Sequence, residues 1–148
     1  MGGAHPLASP PVASGKRGPA LTTFAVLFGL LAVSNLLKPL QIGGARTGFV
    51  FFGQRLSGTP NAILGPLFGL YLLIYAVGIW RLRRFALPMA YAYAAYVIAN
   101  LVAFTVRGEP EPEPGMRPFF FGIVYAAVAI GVSGGAALLL ARRKADLG

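Results

Sequence analysis

The sequence predicts an all-α integral membrane protein, a four-helix bundle with both termini in the cytoplasm. Three observations carry that reading. Four long runs hold no charged side chain, at 18–37, 62–80, 85–106 and 118–141. Only 11% of the chain is charged, against about 25% in an ordinary soluble domain. The thirteen Lys and Arg residues flank these runs instead of building a polar face, the pattern of a chain whose basic ends stay in water.

The pivot is the stretch from Ala62 to Val106. It reads as an apolar run, then Arg81-Leu82-Arg83-Arg84, then a second apolar run from Phe85. At 1.5 Å per residue the two runs reach about 28 Å and about 33 Å, which matches a hydrocarbon core of roughly 30 Å. Backbone in lipid has to satisfy its own hydrogen bonds, so each run is expected as a helix. The arginines between them set a tight turn joining two antiparallel spans.

The remaining elements follow in order. Residues 1–19 are rich in Gly, Ala, Pro and Ser, lack apolar periodicity and read as a disordered tail; His5, the sole histidine, lies there. The first helix is expected over about 20–37. A signal peptide competes for this run, with Lys16 and Arg17 as its basic start and Ala32-Val33-Ser34 as a small-residue cleavage site. The run continues through Leu36 and Leu37 and follows a long tail, which favours a retained span. Residues 39–61 form the longest connection. Five glycines argue against helix there, and Phe49-Val50-Phe51-Phe52 between Arg46 and Arg55 suits a loop resting at the headgroup level. A lid or re-entrant segment over a cavity is the alternative. Helices two and three are expected over about 62–80 and 85–106. Glu109-Pro110-Glu111-Pro112-Glu113-Pro114 repels itself and cannot be helical, so it reads as a stiff solvated linker. Helix four is expected over about 118–141, and 142–148 is a basic C-terminal tail. The membrane domain is thus 20–141.

Sidedness follows from the basic residues. Four spans place both termini with the Arg81–Arg84 turn, and that side holds eight Lys and Arg against five on the other. The excess predicts N-in, C-in, in a bacterial inner membrane.

Small residues recur four apart, at Gly65 and Gly69, at Ala86, Ala90 and Ala94, at Ala95, Ala99 and Ala103, and at Ala127, Gly131 and Gly135. Such rows let helix backbones approach, either within the bundle or in a homo-oligomer. A tandem pair of helical hairpins is a further possibility. The segment 32–37 resembles 97–102, which aligns Asn35 with Asn100, and Ala76-Val77-Gly78 resembles Ala129-Ile130-Gly131.

Chemistry is sparse. The chain has no cysteine, and its four acids, Glu109, Glu111, Glu113 and Asp146, lie in a linker or tail. Catalysis needs titratable groups at the reacting centre, and proton relays need them inside the membrane. No catalytic residue, metal site or cofactor is therefore expected, and the net charge of +9 is assigned to the lipid bilayer, not to nucleic acid. What remains is polar but neutral. Ser34, Asn35, Tyr71, Tyr96, Asn100 and Tyr125 are expected to face one another as a structural network or to line a pocket. Lys38 and Arg107 are expected at its rim. The pocket would take a lipid-like or quinone-like molecule.

The layout, with its basic turn between helices two and three, resembles small bacterial inner-membrane proteins, the DoxX-like group among them. The resemblance spans 20–141 and implies a membrane subunit of a quinone-linked oxidoreductase, with no functional residue carried over. The small multidrug transporters are similar in helix number and size, but the membrane-embedded glutamate of their first helix has no counterpart here. The leading expectation is a non-catalytic accessory subunit or homo-oligomer; the alternative is a binder or carrier of an apolar ligand.

Overall fold

The computed structural model describes residues 17–40, 49–107 and 116–148, with backbone alone for 116–122 and 125. Residues 1–16 of the expected tail, the 41–48 part of the long loop and the Glu-Pro linker lie outside these residues; the last three tail residues are ordered, Arg17 against Trp80 and Gly18-Pro19 at the start of the first helix. Four helices dominate: α1 (Pro19–Leu36), α2 (Gly58–Trp80), α3 (Ala86–Arg107) and α4 (Met116–Arg142). Three of them, α1, α2 and α3, are long and apolar enough to cross a membrane. The described apolar part of α4 covers Ala126–Arg142. Between α1 and α2 a two-stranded antiparallel hairpin pairs β1 (Val50–Phe51) with β2 (Gln54–Arg55).

The helix limits have local causes. Pro19 opens α1, where its fixed φ suits the first turn and its missing N–H costs nothing. The Thr22 and Thr23 hydroxyls donate back to the Gly18 and Pro19 carbonyls at 3.2 and 3.0 Å. Helix α1 ends at Leu36, and the chain runs on through Leu37 into a single 3-10 turn over Lys38–Leu40. Helix α2 starts at Gly58, four residues before the apolar run. Thr59, Pro60 and Asn61 form its first turn, which tolerates a proline for the same reason as in α1. The glycine-rich connection is correspondingly shorter than expected. Pro66 sits inside α2 and removes one N–H from the ladder.

The bundle is built of two hairpins. Helix α1 packs most extensively on α2, and α3 on α4, while the α2–α3 and α1–α4 contacts are sparse. Glycines set the first hairpin's closeness. A Cβ on Gly69 would stand 2.8 Å from the Leu36 backbone nitrogen and 2.9 Å from the Ala32 carbonyl oxygen. One on Gly65 would stand 2.8 Å from the Lys38 Cβ. The Gly65 and Gly69 row is thus consumed inside the molecule, as are Ala86 and Ala90, both buried. Ala95, Ala99, Ala127 and Gly131 are exposed.

The core sits between these layers. Phe28 and Tyr75 are fully buried, their ring centroids 4.7 Å apart, and Tyr93 meets Phe28 edge-on at 5.2 Å. Leu21, Leu72, Ile79, Ala136 and Leu140 complete the core. The offset that aligns Asn35 with Asn100 also carries the buried face of α1 onto α3. Leu21, Ala25, Phe28, Ala32 and Asn35 fall on Ala86, Ala90, Tyr93, Val97 and Asn100, each buried or half-buried.

Both described termini lie at one end of the bundle. The Arg17 guanidinium stacks on the Trp80 ring at 3.7 Å and donates to the Trp80 carbonyl. The Arg143 guanidinium lies against Gly18. Gly148 is tied to the α2–α3 turn. Lys38 and Arg55 mark the opposite end.

Candidate functional site

The hairpin is docked, not draped. Its turn, Phe52-Gly53, has positive φ at both residues, 46° and 81°, the combination that matches strand twist in a two-residue hairpin. Gly53 meets α3 so closely that a Cβ there would stand 2.6 Å from the Ala103 carbonyl carbon and oxygen. Three side chains then take up hairpin backbone groups. The Phe49 N–H donates to Asn61 Oδ1 at 2.7 Å, the Gly53 N–H donates to Asn100 Oδ1 at 3.1 Å, and the Tyr96 hydroxyl donates to the Val50 carbonyl at 2.8 Å. Buried irregular backbone needs such partners.

Aromatic packing fixes the same placement. Phe49 is 7% exposed, with its ring 4.9 Å from Phe68 and parallel to Tyr96 at 6.4 Å. Phe52 meets Tyr96 edge-on at 6.3 Å. The segment expected to rest at the headgroup level therefore buries its first aromatic inside the bundle.

Behind the hairpin lies a cavity of about 220 Å³. Its polar lining comes from Asn35 and Lys38 at the end of α1 and from Tyr96 and Asn100 on α3. Phe49 and Phe68 supply aromatic wall, and Tyr93, Val97 and Ala129 close the inner side. Asn35 Nδ2 donates to the Leu31 carbonyl at 2.8 Å; its Oδ1 has no partner among the described residues. Tyr96 and Asn100 spend one polar group each on the hairpin, leaving the Asn100 amide nitrogen at the cavity. Burial, and secondarily the Arg55 guanidinium, hold the Lys38 ammonium below the usual lysine pKa. The cavity thus offers a carbonyl acceptor and an amide donor within aromatic and aliphatic walls, with Lys38 in its lining.

Four of the eight expected residues come together here. The others do not. Ser34 lies in α1 one position before Asn35 and is exposed, because one residue turns a helix by about 100°. Arg107 ends α3 exposed and outside the lining. Tyr71 donates at 2.6 Å to the Met89 carbonyl, bridging α2 to α3 away from the cavity. The Tyr125 side chain lies outside the described residues. Asn61, 4% exposed, is a site residue the sequence reading placed at a loop end. Its burial comes from the early start of α2, and only the Asn-rich pattern of Asn35, Asn61 and Asn100 hints at it. Tyr75 is also new: its hydroxyl is buried with no hydrogen-bond partner among the described residues.

No family model, no curated protein and no solved structure matches this chain. Among the described residues no cluster of His, Cys, Asp and Glu has the makings of a metal site.

Proposed function

We propose that this chain is a non-catalytic, multi-pass membrane protein of the bacterial inner membrane. Both termini are cytoplasmic, and its cavity binds the polar end of a lipid-like or quinone-like molecule. The observation that supports the ligand is the convergence of Asn35, Asn100 and Lys38 on one apolar-walled space. Ligand sites in proteins are mostly apolar with a few placed polar groups. The size matters: pockets for whole ligands run to about 300–1,000 Å³, so 220 Å³ takes one ring or one chain end. The rest of the molecule lies between helices or in lipid. Three helices of spanning length, basic residues gathered at one end and the internally bonded hairpin support the membrane reading.

The test is Val97→Phe, which fills the cavity without touching a hairpin hydrogen bond. Wild type purified in mild detergent is expected to carry a lipid or quinone in native mass spectra. The variant is expected to lose it while keeping its thermal midpoint. Equal ligand content in both proteins refutes the binding role.

A second reading, an accessory subunit or homo-oligomer, is supported by the exposed small residues Ala95 and Ala99 on α3 and Ala127 and Gly131 on α4. The cost of approach at these faces is low, since a Cβ on Gly131 meets nothing within 4 Å. A stoichiometric protein partner or a dimer in the same native spectra favours this reading.

A further inference from the structure

The basic end of the bundle contains a second concavity, a groove of about 560 Å³ lined by Val77, Arg81, Arg83, Arg84, Phe85 and Gly148. We propose that this groove holds the phosphate of an anionic glycerophospholipid, with Arg81 and Arg83 on the phosphate and an acyl chain along Val77 and Phe85. The proposal rests on the membrane reading above and is independent of the cavity.

The groove has a fixed shape. The α2–α3 turn passes through Leu82 at φ 50°, a left-handed conformation costing a non-glycine residue roughly 1–2 kcal/mol. The C-terminal segment holds it there. The Gly148 N–H donates to the Leu82 carbonyl at 2.9 Å, and the Arg84 N–H donates to the Gly148 carbonyl at 3.1 Å. The Arg84 Nε donates to the Leu147 carbonyl at 3.2 Å, while the Leu82 and Leu147 side chains are buried. On the other flank, Gly78 lets the Phe85 ring pack against α2, where a Cβ would stand 2.6 Å from Phe85 Cε2.

Charge and polarity then select the occupant. Arg84 is engaged by the C-terminal segment. Arg81 and Arg83 are exposed, and their guanidinium groups have no hydrogen bond or ion pair among the described residues. Asp146, the one acidic side chain among the described residues, pairs with neither, and the Gly148 oxygen in the groove lining is taken by the Arg84 N–H. Two unpaired forks flanking one groove suit a phosphodiester, which accepts paired N–H donors. Val77 and Phe85 are 42% and 44% exposed, giving an apolar strip that leaves the arginines toward the spans. A free phosphate would have no use for that strip. Trp80, beside the groove and stacked under Arg17, is the side chain expected at headgroup depth.

The test uses the full chain in nanodiscs or mild detergent, titrated with phosphatidylglycerol or phosphatidylcholine and read by native mass spectrometry. Two guanidinium groups at headgroup level are expected to give wild type a roughly 10- to 30-fold preference for the anionic lipid. The double variant Arg81→Gln, Arg83→Gln is expected to fall to near parity. The charge-matched control Arg142→Gln, Lys144→Gln, at the same end but outside the groove, is expected to keep the preference. Equal loss in both double variants makes the effect a general surface potential and overturns the site, as does absence of preference in wild type. Displacement of the lipid by millimolar inorganic phosphate assigns the groove to a free anion and overturns the lipid occupant. A chain recovered from cells without detergent refutes the membrane reading itself; a membrane-integrated chain with no lipid preference refutes this groove alone.

Discussion

Replacing Gly53 by alanine should undock the hairpin while leaving the helices in place. The magnitude follows from three contributions. Alanine at φ 81° costs roughly 1–2 kcal/mol. The new Cβ would meet the Ala103 carbonyl at 2.6 Å, well inside contact distance, so the turn has to lift from α3. Lifting breaks the Gly53–Asn100 bond and strains the Tyr96–Val50 bond, each worth about 1 kcal/mol net. The sum is about 2–4 kcal/mol against docking, or a roughly 30- to 1,000-fold rise in the undocked population. Amide hydrogen exchange in detergent micelles reads this directly. Protection of Phe49, Gly53 and Leu56 should drop by that factor, while amides in the middle of α1 and α2 keep theirs. Unchanged protection at Phe49 and Gly53 would refute the docking argument. Equal loss across α1 and α2 would show that the hairpin is no separate unit.

Three further outcomes follow from the same geometry. Gly69→Ala places a methyl against the Ala32 and Leu36 backbone and should destabilise the α1–α2 hairpin by about 1–3 kcal/mol, seen as a lowered thermal midpoint; an unchanged midpoint would contradict the close approach. Tyr75→Phe removes a buried hydroxyl that has no partner among the described residues, so stability should hold or rise by up to about 2 kcal/mol, and a clear loss would reveal a partner for that oxygen. Lys38 has a folded pKa below 10.5 through burial and then Arg55, so the folded state binds fewer protons than the unfolded state between the two values. Its penalty is full below the folded pKa and is relieved as pH rises through it toward 10.5. Thermal melts of wild type should therefore gain on Lys38→Met as pH rises toward 10, and a constant difference would refute the burial of that ammonium.

The helices were legible because charge punctuates them. Arg81–Arg84 and Lys38-Pro39 break the apolar runs where the structure breaks the helices, and Gly65 and Gly69 marked a true contact row. The Asn35–Asn100 correspondence was also legible, and both amides line the cavity. The hairpin was not. Each strand has two residues, and what holds it is tertiary: Asn61, Tyr96 and Asn100 reach its backbone from sequence distances of 12 to 47. No local pattern encodes that. Ser34 misled because adjacency in sequence is opposition on a helix, and Arg107 because a charge at a helix end has no need to turn inward. Tyr75 was not singled out, because nothing in an uncharged apolar run marks which of its tyrosines is fully buried.

Four spans with the basic ends sharing one side put Gln54 and Ala145 on opposite faces of the membrane, and single-cysteine labelling tests that directly. The chain has no native cysteine, so Gln54→Cys and Ala145→Cys each report one site. In intact bacterial spheroplasts a membrane-impermeant maleimide should label Gln54→Cys at once and Ala145→Cys only after permeabilisation. Labelling of both sites from the outside, or recovery of the chain in the soluble fraction, would contradict it.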